Sequence, residues 1–471
     1  MQKRNLKYAA GVSAAVSAAL ILVNCSGSVD DQSNPNFISQ AQSTITVPGI
    51  SSAVTFSFDL GQVDPATHIY YVTDRTNKAI TAVNLNTKAV FQFKPAGVTF
   101  GGCNSSTFNP VTDPLTVTPM PNCVNVVSPV GTQVVNNDAS GPDGLDVVGP
   151  NLYVGDINAL FILDKGTGAL VKKIAIPGTQ AALGGDTRPI GIRADEGCFD
   201  PVNNLYAIAT PGANNPYITI INTVSQTIIA TIIMDQPAGT PSGGLEACFF
   251  DSTVAGSGRL WLNNDGSATN PDGEVNGIAV ASLLALTPSV VTHTQFTALA
   301  NNIVYPLPAL CSPTGIAKGP GNHLGSMCRP GAGAVPGATN SLDFIIMDRT
   351  AATNATTIPT NIVATVVGAG GGDQIAYDPT SNKWYLADSR QTATGKSCGA
   401  GTATCPLTPK LGVVNAAAPY NIVAMIPNGN NSHSVAVDSA LGKVITPFTN
   451  TSATGGGSAF PGGGINIFAT R

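Results

Sequence analysis

One position in a repeated apolar run carries the residues best placed to do chemistry. Short runs of β-branched and aromatic residues end at Asp64, Val148, Asp200, Asp251, Asp378 and Asp438. Five positions ahead of those ends stand Asp59, Asp143, Asp195, Glu246, Asp373 and His433, with Thr314 in the remaining run. Five of these seven residues are carboxylates, in a chain with only 27 acidic residues. Carboxylates brought close together repel and raise one another's pKa unless a cation neutralises them. Hard oxygen donors with no cysteine among them suit Ca²⁺, as a structural ion or as a Lewis acid on a lactone or ester carbonyl. His433 is the candidate base or ligand. The competing reading is that an Asp beside a strand only forms a turn, by bonding its own backbone. A register set on Gly191 and Gly244 is a further alternative. It would replace Asp195 and Glu246 with Ile190 or Arg188 and with Gly243.

Other chemistries find little support. His68, His293 and His323 fall at no zinc spacing. There is no G-x-S-x-G nucleophile elbow. The glycine-rich stretches 368–372, 455–457 and 462–464 lack the lysine and helix of a phosphate loop. Cys25 stands at the end of the leader, and eight cysteines follow it. Proximity along the chain suggests Cys103–Cys123, Cys311–Cys328 and Cys398–Cys405, leaving Cys198–Cys248. No Cys-x-x-Cys spacing suggests a metal.

The elements that position these residues read as strands. Four strand types recur. The first ends in Asp, as in 373–378 (DQIAYD) and 433–438 (HSVAVD). The second reads 69–74 (IYYVTD), 151–156 (NLYVGD), 259–264 (RLWLNN) and 383–388 (KWYLAD). The third includes 79–84, 160–164, 217–222, 343–348 and 411–415, and the fourth 89–93, 170–176, 227–233 and 361–367. Gly, Asn, Asp or Pro bounds each run, as strands joined by tight turns require. Four antiparallel strands per repeat, arranged radially, make a β-propeller blade. First strands begin near residues 54, 143, 190, 243, 313, 373 and 433, so the expected fold is all-β with seven blades. The last unit lacks a fourth strand, and the segment 43–48 (STITVP) is a spare one ahead of the first unit. Pairing the two closes the ring and removes an exposed edge. An excursion at 95–142 is too long for one connection, so a degenerate eighth blade is the alternative.

The first 28 residues read as an export leader: Lys3, Arg4 and Lys7, then an apolar stretch from Ala9 to Val23. That stretch is short for a membrane span of ~20 residues. Two endings stay open, a lipobox-like 22–25 (LVNC) that would acylate Cys25, or cleavage near Ser26-Gly27-Ser28. Residues 29–42 form a polar tether, and 43–471 the single propeller domain. The expected setting is periplasm, outer membrane or cell surface, with a membrane reached only through a lipid anchor. Export permits disulfides. The net charge of -5 and the absence of a basic patch disfavour nucleic acid.

The run 69–77 (IYYVTDRTN) followed by 79–84 (AITAVN) resembles the YVTN repeat of bacterial surface and periplasmic propellers, and 433–438 resembles the first-strand motif of the YncE-like and lactonase-like group. The resemblance implies a propeller acting as a binding or scaffold module at the cell envelope, with a protein, glycan or small molecule at the channel mouth or loops. The alternative is a Ca-type lactonase-like hydrolase in which Asp143, Glu246, Asp373 and His433 of the counted series hold the ion or shuttle protons, and a structural surface-layer or adhesive protein is a further one.

Overall fold

The computed structural model describes residues 41–96, 99–101, 124–126, 133–135, 140–176, 193–211, 216–234, 244–266, 272–286, 289–292, 303–308, 311–329, 342–350, 361–393, 395, 406–450 and 460–470. Alternating β-branched and aromatic residues give strands of 3–7 residues, and Asx turns join them. Asp64, Asp200, Asp378 and Asp438 each accept backbone N–H groups two or three residues on, which fixes the turn after the first strand.

Seven antiparallel sheets result. Blade 1 comprises Phe58–Asp64, Ile69–Asp74, Ala79–Asn84 and Val90–Phe93. Blade 2 comprises Leu145–Val148, Asn151–Asp156, Ala159–Asp164 and Leu170–Ala175. Blade 3 runs from Gly197–Asp200 through Leu205–Thr210 and Tyr217–Asn222 to Thr227–Ile233. Blade 4 has Leu245–Asp251, Arg259–Asn264, Glu274–Ala279 and Ile303–Pro306. Blade 5 has Pro313–Lys318, His323–Cys328, Asp343–Asp348 and Ile362–Val367. Blade 6 has Ile375–Asp378, Lys383–Asp388, Lys410–Asn415 and Ile422–Pro427. Blade 7 has Ala436–Asp438, Lys443–Phe448 and Gly464–Ala469, with Ser43–Ile45 as its fourth strand. The first strands touch in order from blade 1 to blade 7 and back to blade 1, which makes a closed ring.

The closing strand pairs Ser43 with Ile467, Thr44 with Asn466 and Ile45 with Ile465. The Thr44 hydroxyl donates to Asn466 Oδ1 at 2.7 Å. Ile45 and Val47 are buried with Phe56, Ile445 and Ile465 between blades 7 and 1. Further apolar clusters fill the other seams, with Trp261 between blades 4 and 5 and Trp384 between blades 5 and 6. Burial of each such side chain contributes about 1.5–3 kcal/mol.

Each Asp that ends a first strand also ties its blade to a neighbour. Lys165 Nζ lies 2.7 Å from Asp64, the Ser252 hydroxyl 2.7 Å from Asp200, Lys318 Nζ 2.6 Å from Asp251, and His68 Nδ1 2.7 Å from Asp438. The disulfide Cys198–Cys248 joins the first strands of blades 3 and 4, and Cys311–Cys328 closes the first hairpin of blade 5. Cys25, Cys103, Cys123, Cys398 and Cys405 lie outside the described residues.

Several expectations need correction. In the 95–142 excursion, Val124–Val126 and Gln133–Val135 form a two-stranded ribbon, and no eighth four-stranded sheet exists among the described residues. The first strands of blades 1 and 3 start at Phe58 and Gly197, later than residues 54 and 190. Blade 4 leaves its sheet after Ala279 through a one-turn helix, Val280–Leu284, and a strand, Ser289–Thr292, which pairs in parallel with the outer strand of blade 3. Short hydrophobic runs look alike to the eye, and this pairing partner is remote from its repeat, so periodicity gives no hint of it.

Candidate functional site

In an antiparallel hairpin, the start of one strand lies beside the end of the next. The residues just ahead of or opening each first strand therefore share one channel mouth with the residue that follows the second strand. The first set supplies Asp59, Asp143, Asp195, Glu246, Thr314, Asp373 and His433. The second set supplies Arg75, Asp265, Arg329 and the pair Ser389-Arg390. The backbone holds the second set in register: the N–H groups of Arg75, Arg329 and Arg390 donate to Ser57, Cys311 and Gly371, each at 2.9 Å.

The carboxylates and guanidinium groups meet. Arg75 Nη2 lies 2.5 Å from Asp143 Oδ1 and 2.9 Å from Asp59 Oδ2, with all three side chains buried. Arg193 Nη1 lies 2.7 Å from Asp195 Oδ2 and 3.8 Å from Asp59 Oδ2. Arg329 bridges Asp373 at 3.0 Å and Glu246 at 3.4 Å. His433 stacks on Phe58 with ring centroids 4.8 Å apart. Its Nε2 lies 3.3 Å from Asp59 Oδ1 and its Nδ1 2.8 Å from the Asn431 carbonyl. Both partners are oxygen acceptors. Thr314 is buried, and its hydroxyl donates to the Gly372 carbonyl. Gly144 makes the crowding possible, because a Cβ there would collide with the Asp195 carbonyl.

The charges settle unevenly. Against the cost of burial, Arg75, His433 and Arg193 hold Asp59 well below the usual carboxylate range. Arg329, His433 and Arg390 likewise lower Asp373. Burial, with Asp59 beside them, pushes Asp143 and Asp195 well up despite their arginines. Glu246 is pushed to about 7, mainly by burial. Arg390 falls to about 10 because Arg329 stands beside it and burial removes water. All of these groups but Asp143 line a pocket of about 530 Å³, which also takes in Glu196, Asn430 and Asn431.

Fit to a metal can be judged from these contacts. Among the described residues, Asp59, Asp143 and Asp195 offer oxygens within 4.8 Å of one another, and all three are buried. Arg75 bridges two of those carboxylates and Arg193 reaches the third, so guanidinium nitrogens stand where a calcium ion's charge would act. Glu246 and Asp373 lie apart from that trio, spanned by Arg329. The set Asp143, Glu246, Asp373 and His433 thus does not assemble around one ion, and the residues do not fit the expected calcium centre. The alternative-register residues Arg188, Ile190 and Gly243 lie outside the described residues, as does His293. His68 and His323 sit on outer seams.

The four arginines escaped the sequence reading. Their signal was present: Arg75 and Arg329 directly follow second strands, and Arg390 lies one residue further on.

A closed ring of seven four-stranded blades around a charged channel defines the chain as a seven-bladed β-propeller. Hydrazine synthase of Kuenenia stuttgartiensis is a structural neighbour, with a TM-score of 0.52 and 11% identity over 92% of this chain and 99% of that one. The RRP9 WD40 repeats are another, with a TM-score of 0.51 and 9% identity over 92% of this chain and 100% of that one. Likeness at such identity shows the fold alone. No protein-family model and no curated protein sequence matches the chain.

Proposed function

We propose that the chain is an exported cell-envelope propeller that works as a binding module and takes its ligand at the channel mouth. One observation carries this reading: six blades bring acidic, basic or imidazole side chains to one pocket of about 530 Å³, within the range of small-molecule sites. Guanidinium–carboxylate pairs with little water around them present fixed donors and acceptors at low reorganisation cost. The leader with Lys3, Arg4 and Lys7 and the two disulfides suit an oxidising compartment. The test is a thermal-shift screen of small molecules and glycans on the intact chain and on Arg329→Gln. A saturable rise in Tm that the variant loses supports the reading. Binding that ignores Arg329→Gln removes the ligand from the mouth and contradicts it.

A metal-dependent hydrolase is the second reading, favoured by the packing of Asp59, Asp143 and Asp195. It requires an ion to displace Arg75 and Arg193. A lactone-hydrolysis assay before and after chelation decides it: chelator-sensitive turnover supports the hydrolase, and none leaves the binding module.

A further inference from the structure

Of the acids that line the mouth pocket, Glu196 is the one with no arginine in ion-pair reach among the described residues. It is 4% exposed, and among the described residues its carboxylate has neither a hydrogen bond nor an ion pair. Asp59, Asp143, Asp195, Glu246 and Asp373, by contrast, each touch an arginine. Glu196 also occupies a junction, because it lines both the mouth pocket and a second chamber of about 450 Å³ further along the channel. That chamber carries Leu60, Leu145, Ala247, Phe249, Ile316 and Ile375 on its walls, together with the polar Gln62, Asp146 and Gln374. A buried carboxylate facing a cavity without a partner is costly, and a ligand that supplies the missing positive donor removes the cost.

Resting on the binding-module reading above, we infer that the ligand carries a primary ammonium group on a hydrocarbon stem, with the ammonium against Glu196 and the stem along the apolar side chains of the second chamber. Three features select this class. Glu196 belongs to no group of three potential ligands close enough to share one ion among the described residues, so a bare divalent cation lacks the coordination it needs there. An ammonium needs only a few acceptors, and Glu196 offers two oxygens. The apolar side chains on one flank of Glu196 match a chain of methylenes, each contributing about 0.8 kcal/mol when buried. Burial, then Glu246, Asp195, Asp373 and Asp59, push the Glu196 carboxyl well up, and the positive charge of a bound ammonium would oppose that shift.

Calorimetric titration of the full chain with hexylamine, hexanol and hexanoate tests this, alongside Glu196→Gln and a chemically mixed library. Hexylamine is expected to bind one per chain and at least ~10-fold more tightly than hexanol, a difference of about 1.4 kcal/mol. Hexanoate is expected not to bind, and Glu196→Gln should erase the preference for the amine. Equal binding of amine and alcohol, or a preference that survives Glu196→Gln, overturns the inference. If hexylamine fails while another compound binds and loses affinity in Arg329→Gln, only the ligand class is wrong. If nothing in the library binds, the binding-module reading fails with it.

Discussion

Arg75 of blade 1 and Asp143 of blade 2 meet at 2.5 Å in the channel, and the same guanidinium nitrogen lies 2.9 Å from Asp59. The contact ties one blade to the next, and Arg75 and Asp59 also line the mouth. Arg75→Ala strands Asp143 and leaves Asp59 with only Arg193 and His433, and losing one partner of such a buried pair costs about 3–5 kcal/mol. Urea denaturation at pH 7 should show that loss. Arg75→Lys should recover only part of it, because an ammonium lacks the planar fork.

Stability should peak in mild acid. Burial pushes Asp146, Asp156 and Glu246 to about 7 and Asp265 to about 6. Each binds its proton more tightly folded than unfolded, so its stabilising contribution is complete below the ordinary carboxylate range and disappears as pH rises through 6–7. Asp64, Asp251 and Asp378 act in the opposite sense. Although burial opposes them, hydrogen bonds from Lys165, from Lys318 and Arg349, and from Ser381 hold them below 3.8, and their contribution is lost as pH falls through those lowered values. Tm measured from pH 3.5 to 8 should have its maximum near pH 4 and fall toward pH 7.5, at roughly 2–4 °C per kcal/mol. A Tm that climbs between pH 5 and 7.5 would show that the buried acids are ionised without cost.

The ring closure is separately testable. Deleting residues 41–47 removes the strand Ser43–Ile45 together with the buried Ile45 and Val47. Those two side chains alone account for roughly 3–6 kcal/mol. The deletion also leaves Gly464–Ala469 as an open edge, so light scattering should detect association beyond that of the intact chain.

The two disulfides should contribute unequally. Cys198–Cys248 spans 50 residues and Cys311–Cys328 spans 17. The loop-entropy model gives about 4 kcal/mol for the first and about 3 kcal/mol for the second. Paired Cys→Ala variants compared by denaturant midpoint give the order directly.

The fold was legible in the sequence because each blade repeats one pattern and because the missing last strand and the spare first strand are complementary. The acid series was legible for the same reason: Asp64, Asp200, Asp251, Asp378 and Asp438 mark one register, and Asp59, Asp195, Glu246 and Asp373 follow by counting. What counting could not supply was the counter-charge. Arg75 sits one residue beyond a strand whose partner strand carries Asp59, and only the hairpin geometry brings them together. Glu196 was hidden by its neighbour, because Asp195 holds the repeated position. The parallel strand Ser289–Thr292 belongs to no repeat, so nothing in the period announces it.

The most direct measurement is a crystal structure of the intact chain soaked with small-molecule fragments. The account predicts ordered density in the mouth, within hydrogen-bond reach of Glu196, Glu246, Arg329 or Arg390. Fragments seated only on the outer blade surfaces, with the mouth holding water alone, would contradict it.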